Sequence, residues 1–104
     1  MGVSASAGDL KTVVVELFTS QRCVSCPPAD AFLAELAGRP GVIALSQHVD
    51  YWNYLGWTDP FSNAHATKRQ HAYRDTLKTK FVYTPQMVID GGHEAPGSDR
   101  QTIF

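Results

Sequence analysis

A continuous β-branched run over residues 12–18 (TVVVELF) leads, after four residues, into Cys23-Val24-Ser25-Cys26 and then into a helical pattern. That junction limits the architecture more than any other stretch of the chain. The run suits a strand covered on both faces of a parallel sheet. Residues 19–22 make the turn. Ala29, Phe32, Leu33 and Leu36 then recur at i, i+3, i+4 and i+7, which predicts a helix over about residues 23–37 with that face inward. Pro27 and Pro28 fit its first turn, where amide donors lack intrahelical partners. Gly38 stops the helix and Pro40 prevents its resumption. Residues 42–49 (VIALSQHV) predict a second strand, and a right-handed crossover makes the two strands parallel. Both then end at one sheet edge, which gathers the cysteines with His48, Asp50, Tyr51 and Trp52.

The remainder divides readily. Asp59-Pro60 opens a helix, with Asp59 as cap, that runs to about Lys78. Its stripe Ala66, Gln70, Tyr73, Leu77 is only half apolar, so one side packs and the other meets water. Residues 82–90 predict a third strand entered through Thr84-Pro85. Gly91-Gly92 is a turn, and residues 93–95 a short antiparallel fourth strand. Ser98-Asp99-Arg100-Gln101 begins a helix with a capping box, and the chain stops at Phe104. That last helix is expected to be stunted and to leave one sheet face uncovered, a face a second copy could cover by pairing or swapping.

At 104 residues the expectation is one domain, residues 11–104, behind a flexible N-terminal arm, residues 1–10. Nine basic and ten acidic residues leave a net charge of −1, which argues against nucleic acid or an anionic membrane surface as a partner. No apolar run approaches the ~18 residues of a membrane helix. Ala5-Ser6-Ala7 has the look of a signal-cleavage site, yet no charged or apolar region precedes it. A processed export signal, giving a periplasmic or secreted protein, and a plain terminus in a cytoplasmic one both remain open.

Two cysteines are too few for a disulfide framework, and a loop this small adds little stability by closure. Chemistry is the better use. Amide donors and the positive dipole end at a helix start stabilise a thiolate at Cys23, and Arg22 adds charge beside it. Cys26, one turn deeper, is placed to resolve a mixed disulfide formed at Cys23. The competing readings are an inert pair, or half a metal site completed by His48, His65, His71 or His93, none at recognisable ligand spacing. Glu16 is either a buried carboxyl of raised pKa that carries the resolving thiol's proton, or a group facing a lysine or solvent. His48 either tunes the Cys23 thiolate or is simply hydrogen-bonded. Tyr51, Trp52, Tyr54, Trp57 and Phe61 form a platform for partner protein, or fill the gap beneath the following helix. Lys68, Arg69, Arg74, Lys78 and Lys80 read as a solvated helix face.

With Pro85 following the strand–C-x-x-C–helix unit, the chain resembles the thioredoxin superfamily. The resemblance implies that Pro85 is a cis proline opposite the cysteines and that Thr84 offers its backbone to an extended substrate. Glu16-Leu17-Phe18-Thr19 and the segment from Thr84 to Gly91 look most like the glutaredoxin branch. Gly97-Ser98-Asp99 looks like the segment that holds the glutathione γ-glutamyl carboxylate at a helix start, although plain capping explains Ser98 and Asp99 as well. VELFTSQRCVSCPPAD, LGWTDPFS and VYTPQMVIDG look like a bacterial family of uncharacterised, often exported thioredoxin-like proteins, over Val13 to Gln101. Arg22 departs from the small residue common there, and family members continue past the point where this chain ends. The fold implied is α/β and thioredoxin-like, with a helical insertion after the second strand and a truncated C-terminal helix. The activity implied is thiol–disulfide exchange on protein or glutathione disulfides, without metal or organic cofactor. Cys23, Cys26 and Pro85 would be catalytic, with Arg22, Thr84, Ser98 and Asp99 touching substrate. A copper-handling protein using the same cysteines and a non-catalytic binding module are the alternatives.

Overall fold

Strand β1 (Val13–Thr19) lies inside a four-stranded sheet of order β2-β1-β3-β4. A computed structural model describes residues 12–53 and 57–103; the expected arm over residues 1–10, and Tyr54, lie outside them. β2 (Val42–His48) runs parallel to β1, with Val13 opposite Val42 and Thr19 opposite His48. β3 (Gln86–Ile89) is antiparallel to β1, with Phe18 opposite Gln86, and β4 (His93–Pro96) is antiparallel to β3. The chain is thus α/β, with a mixed sheet and three helices among the described residues: α1 (Pro27–Ala37), α2 (Ala64–Leu77) and α3 (Arg100–Ile103). No helix among them is long and apolar enough to cross a membrane.

Alternation along β1 sorts the two faces. Val15 and Leu17 point to α1 and pack with Ala29, Phe32, Leu33, Leu36 and Met87 in an apolar core. Glu16 and Phe18 take the other face, where Phe18, Val49 and Val88 meet Trp52, Tyr73 and Leu77. Away from the cysteines, an open groove of about 310 Å³ is lined by Val13, Val15, Leu36, Val42, Ile89 and Ile103. Between β3 and β4, Asp90 (φ 51°) and Gly91 (φ 69°) both take left-handed backbone, the geometry of a tight hairpin turn.

Each helix starts later than the sequence suggests. α1 begins at Pro27, with Cys26 at its cap position, not at Cys23. Two successive turns intervene, Cys23 N donating to Ser20 O (3.1 Å) and Cys26 N to Cys23 O (3.1 Å). α2 begins after Asn63, whose side-chain oxygen accepts from Ala66 N at 2.8 Å, so Asp59 is not its cap. α3 is capped by Asp99, which accepts from Thr102 N and from the Thr102 hydroxyl, one residue beyond the expected Ser98.

Candidate functional site

Strand directions bring four segments to one sheet edge: the ends of β1, β2 and β4 and the start of β3. Cys23 and Cys26 sit there, joined as a disulfide with a Cα–Cα distance of 5.3 Å. They are unequal. Cys26 is 0% exposed and Cys23 3% exposed, so both are buried and Cys23 is the one that meets the surface. The Ser25 hydroxyl lies 3.5 Å from Cys23 Sγ, and a rotating O–H there can donate to a thiolate. Because α1 starts at Pro27, its positive end bears directly on Cys26, and Cys23 lies a turn outside it. The expected placement of Cys23 in the first helical turn is therefore corrected. The two prolines supply no amide hydrogen to either sulfur.

The turn that carries Cys23 is fastened from outside. Gln21 N donates to Asp59 Oδ2 at 2.9 Å, and Arg22 N to the Ser20 hydroxyl at 3.1 Å. The Thr19 hydroxyl donates to Asp30 Oδ1 at 2.8 Å, tying the end of β1 to the first turn of α1. Asp59 is buried; it also accepts from Phe61 N (2.9 Å), and His48 Nδ1 lies 2.6 Å from its Oδ2. Burial pushes the Asp59 carboxyl up, but the Gln21 amide, His48 and the Phe61 amide outweigh it and hold the pKa below the ordinary value. His48, with its Nδ1 on Asp59 and its ring edge-on to Phe61 at 5.6 Å, meets the cysteine turn through Asp59. The Arg22 guanidinium lies 5.3 Å from the Trp57 ring centre.

Across from the turn, the Thr84-Pro85 bond is cis and Pro85 is buried. Its loop is bracketed. Gln70 Nε2 donates to Tyr83 O (2.7 Å) and to Gln86 Oε1 (2.9 Å), while Gln70 Oε1 accepts from the Tyr51 hydroxyl (2.9 Å). Burial drives the Tyr51 pKa up to about 12, which keeps that hydroxyl a donor. Trp52 Nε1 donates to the Thr84 hydroxyl at 2.9 Å, and Gly97 N to Pro85 O at 3.0 Å. A Cβ on Gly97 would stand 2.8 Å from Leu17 Cδ1, 2.9 Å from Ala29 Cβ and 3.1 Å from Pro85 Cβ. Gly97 is therefore where β1, α1 and the proline loop close on one another.

Of the expected site residues, Cys23, Cys26, Arg22, Thr84, Pro85, His48, Ser98 and Asp99 share this edge. Glu16 does not belong with them. It lies on the α2 face, accepting from Arg69, from the Tyr73 hydroxyl and from Gln47 Nε2 (3.3 Å). Burial favours a raised pKa, but Arg69, Tyr73 and Gln47 together hold the carboxyl below its ordinary value, so of the two expectations the raised-pKa proton carrier is overturned and the group facing a basic side chain is the nearer, with Arg69 in place of a lysine. Arg69, expected on a solvated face, is thereby an ion-pair partner. The aromatic segment splits: Trp52 packs inward, whereas Trp57 and Phe61 stay exposed. Among the described residues no group of three His, Cys, Asp or Glu side chains could hold a metal ion.

The sequence does not mark Asp59 or Gln70 as site residues; it places Trp52 at this edge only as part of an aromatic platform, and Gly97 only with Ser98 and Asp99, not as positioning residues for the cysteines and the proline loop. A glutamine inside an otherwise packing stripe was a signal for Gln70. Nothing local distinguishes Asp59 from a helix cap, or Gly97 from a turn glycine.

Residues 14–104 match the model of a family described as "Protein of unknown function (DUF1223)". The chain is also similar to a crystal structure of an Agrobacterium tumefaciens protein, at 48% identity and a TM-score of 0.84, over 89% of this chain and 42% of that one. This chain thus spans about two-fifths of that protein's length. No curated protein matches it.

Proposed function

Since the chain belongs to this family of unknown function, which lends it no activity, we propose from its own geometry that it is a thiol–disulfide oxidoreductase with a thioredoxin-like, glutaredoxin-ordered domain. The unequal exposure of Cys23 and Cys26 beside a cis-proline loop carries the reading. A pair with one reachable and one enclosed sulfur suits sequential exchange. In the oxidised form, a substrate thiolate attacks Cys23 Sγ, the Cys23–Cys26 bond breaks, and Cys26 leaves as a thiolate that takes a proton. A second substrate thiolate then attacks the substrate sulfur of the mixed disulfide and releases Cys23. Two electrons and two protons pass from the substrate dithiol to the protein. The reverse sequence reduces a substrate disulfide, with Cys23 attacking and Cys26 resolving. A low-molecular-weight thiol/disulfide couple, glutathione among them, resets the pair.

Thr84 and Pro85 would line the path of an extended substrate. Ser98 is exposed beside it, and Asp99 acts by capping α3. An oxidising compartment, periplasmic or extracellular, is where such a pair would stay oxidised between turnovers. The test is reduction of insulin or of glutathione disulfide by the wild-type protein and by Cys23→Ser. Loss of turnover in the variant supports the proposal; activity undiminished by the change overturns it.

A further inference from the structure

We infer that the disulfide edge takes an extended polypeptide whose reacting cysteine is flanked by apolar side chains, in preference to glutathione; this names a substrate class and rests on the oxidoreductase reading. The observation is where the molecule leaves apolar surface uncovered. Val24, between the two cysteines, is 96% exposed. Phe61, whose ring meets His48, is 63% exposed, and Trp57, beneath Arg22, is 38% exposed. Tyr51, just past β2, has its hydroxyl tied inward to Gln70 and is 38% exposed. The other large apolar side chains left exposed among the described residues are Ile43 and Leu45 on β2, and Phe81, edge-on to Tyr83.

Clustering of apolar side chains around one end of a sheet marks a contact surface, whereas single exposed residues need no explanation. Here the chemistry fixes the occupant. Cys23 is nearly enclosed, so a partner sulfur must be pressed in by whatever surrounds it. Val24 offers no hydrogen bond from its side chain, and the rings of Trp57 and Phe61 offer mostly apolar area. Only apolar side chains on the partner gain from that rim.

Glutathione meets the edge badly. Each tripeptide brings two carboxylates, an ammonium and no apolar side chain. The segment expected to receive its γ-glutamyl carboxylate is spent: Asp99 is itself an anion whose oxygens accept from Thr102, and α3 has four residues. Arg22, over Trp57, is as well placed to cover an aromatic side chain of a peptide as to pair with a carboxylate.

The experiment uses the full chain, reduced beforehand and freed of reductant, in single turnover against three probes. These are glutathione disulfide, a disulfide-linked dimer of a short peptide with a Leu-Cys-Phe core, and an equally charged dimer with a Ser-Cys-Asn core. Each rate is divided by the rate of the same probe with dithiothreitol, which removes intrinsic reactivity. The expected result is a preference of roughly tenfold or more for the Leu-Cys-Phe dimer over both other probes, the scale of discrimination by an apolar contact. Val24→Asn and Phe61→Ser, both at exposed positions, should each cut that preference several-fold, and together bring it near unity. Equal corrected rates for the two peptides, or a faster rate for glutathione disulfide, overturn this inference and leave the oxidoreductase reading standing. Absence of any Cys23-dependent exchange overturns both.

Discussion

On the α1 face of the sheet, Val15, Leu17, Phe32, Leu36 and Met87 close over one another in an apolar cluster, with the buried Thr19 hydroxyl bound to Asp30 at its edge. On the α2 face the same strands present Glu16 and Gln86, and the helix answers with Arg69, Gln70 and Tyr73. The first face holds the molecule together without regard to direction, because apolar burial scales with area. The second holds things in place. Each buried polar group there needs a partner at a set angle and distance, and several partners are loop atoms at the disulfide edge: Tyr83 O, the Thr84 hydroxyl and, through Asp59, Gln21 N. The lesson is a division of labour in which one face supplies stability and the other supplies the geometry of the loops around the cysteines.

The largest effect should come from the apolar face. Phe32→Ala is expected to cost about 3–5 kcal/mol, read as a shift in denaturation midpoint, while Cys23 reactivity in the remaining folded fraction matches the wild type. A comparable loss from every substitution on the α2 face would erase the contrast. Gly97→Ala comes next. Its methyl group would enter space held by Leu17, Ala29 and Pro85, and overpacking of this kind costs about 1–3 kcal/mol. Because it wedges α1 from the proline loop, it should also slow exchange with peptide disulfides.

Gln70→Leu keeps the bulk and removes the bracket, leaving the Tyr83 carbonyl, Gln86 and the Tyr51 hydroxyl without that partner. Stranding buried polar groups costs about 1–3 kcal/mol. The sharper readout is kinetic: KM for a peptide disulfide should rise several-fold with the Cys23 thiolate pKa unmoved, and Gln70→Glu, which can accept from the Tyr51 hydroxyl but has no amide hydrogen for Tyr83 O or Gln86 Oε1, should raise it as well. An unchanged KM would reduce the α2 face to a second, less apolar core.

Acid gives the smallest effect. Glu16 and Asp59 both have folded pKa values held below their ordinary ones. The unfolded chain therefore binds protons first as pH falls. The stability these groups contribute is fully present above the unfolded carboxylate range of roughly pH 4 and is lost as pH drops through their lower folded values. Stability measured from pH 6 down to pH 2 should fall across that window, and Glu16→Gln should flatten part of the fall. A flat wild-type profile would contradict the ion-pair role of Arg69.

The same division explains what could be read from the chain alone. The apolar face was legible, since Ala29, Phe32, Leu33 and Leu36 announce it by spacing, and the run over residues 12–18 places β1. The parallel β1–β2 pairing and the antiparallel return of β4 followed from short, local rules. The polar face was not legible, because its partners are far apart in sequence: Glu16 finds Arg69 and Tyr73, and Asp59 finds Gln21. Spacing rules see neighbours on one element and miss a carboxylate that reaches another. For that reason the sequence leaves Glu16 open between a carboxyl of raised pKa and a group facing a basic side chain or solvent, and only the fold supplies Arg69 and Tyr73, which lower it. The helix starts differ from the sequence reading for a related reason. Asp59-Pro60 is a sound start signal, but its carboxylate is engaged by the cysteine turn and His48, and Asn63 caps α2 instead. At the site, the cysteines and Pro85 stood out by motif, whereas the residues that position them did not.

The most direct test of the central claim is the pH dependence of alkylation at each cysteine of the reduced protein, followed by mass spectrometry. With the Ser25 hydroxyl 3.5 Å from its sulfur and Arg22 next to it in the chain, Cys23 is predicted to react first, with an apparent pKa below the unperturbed ~8.5, and Cys26 to be protected until the protein is denatured. Two thiols reacting at similar rates, each with an ordinary pKa, would contradict it.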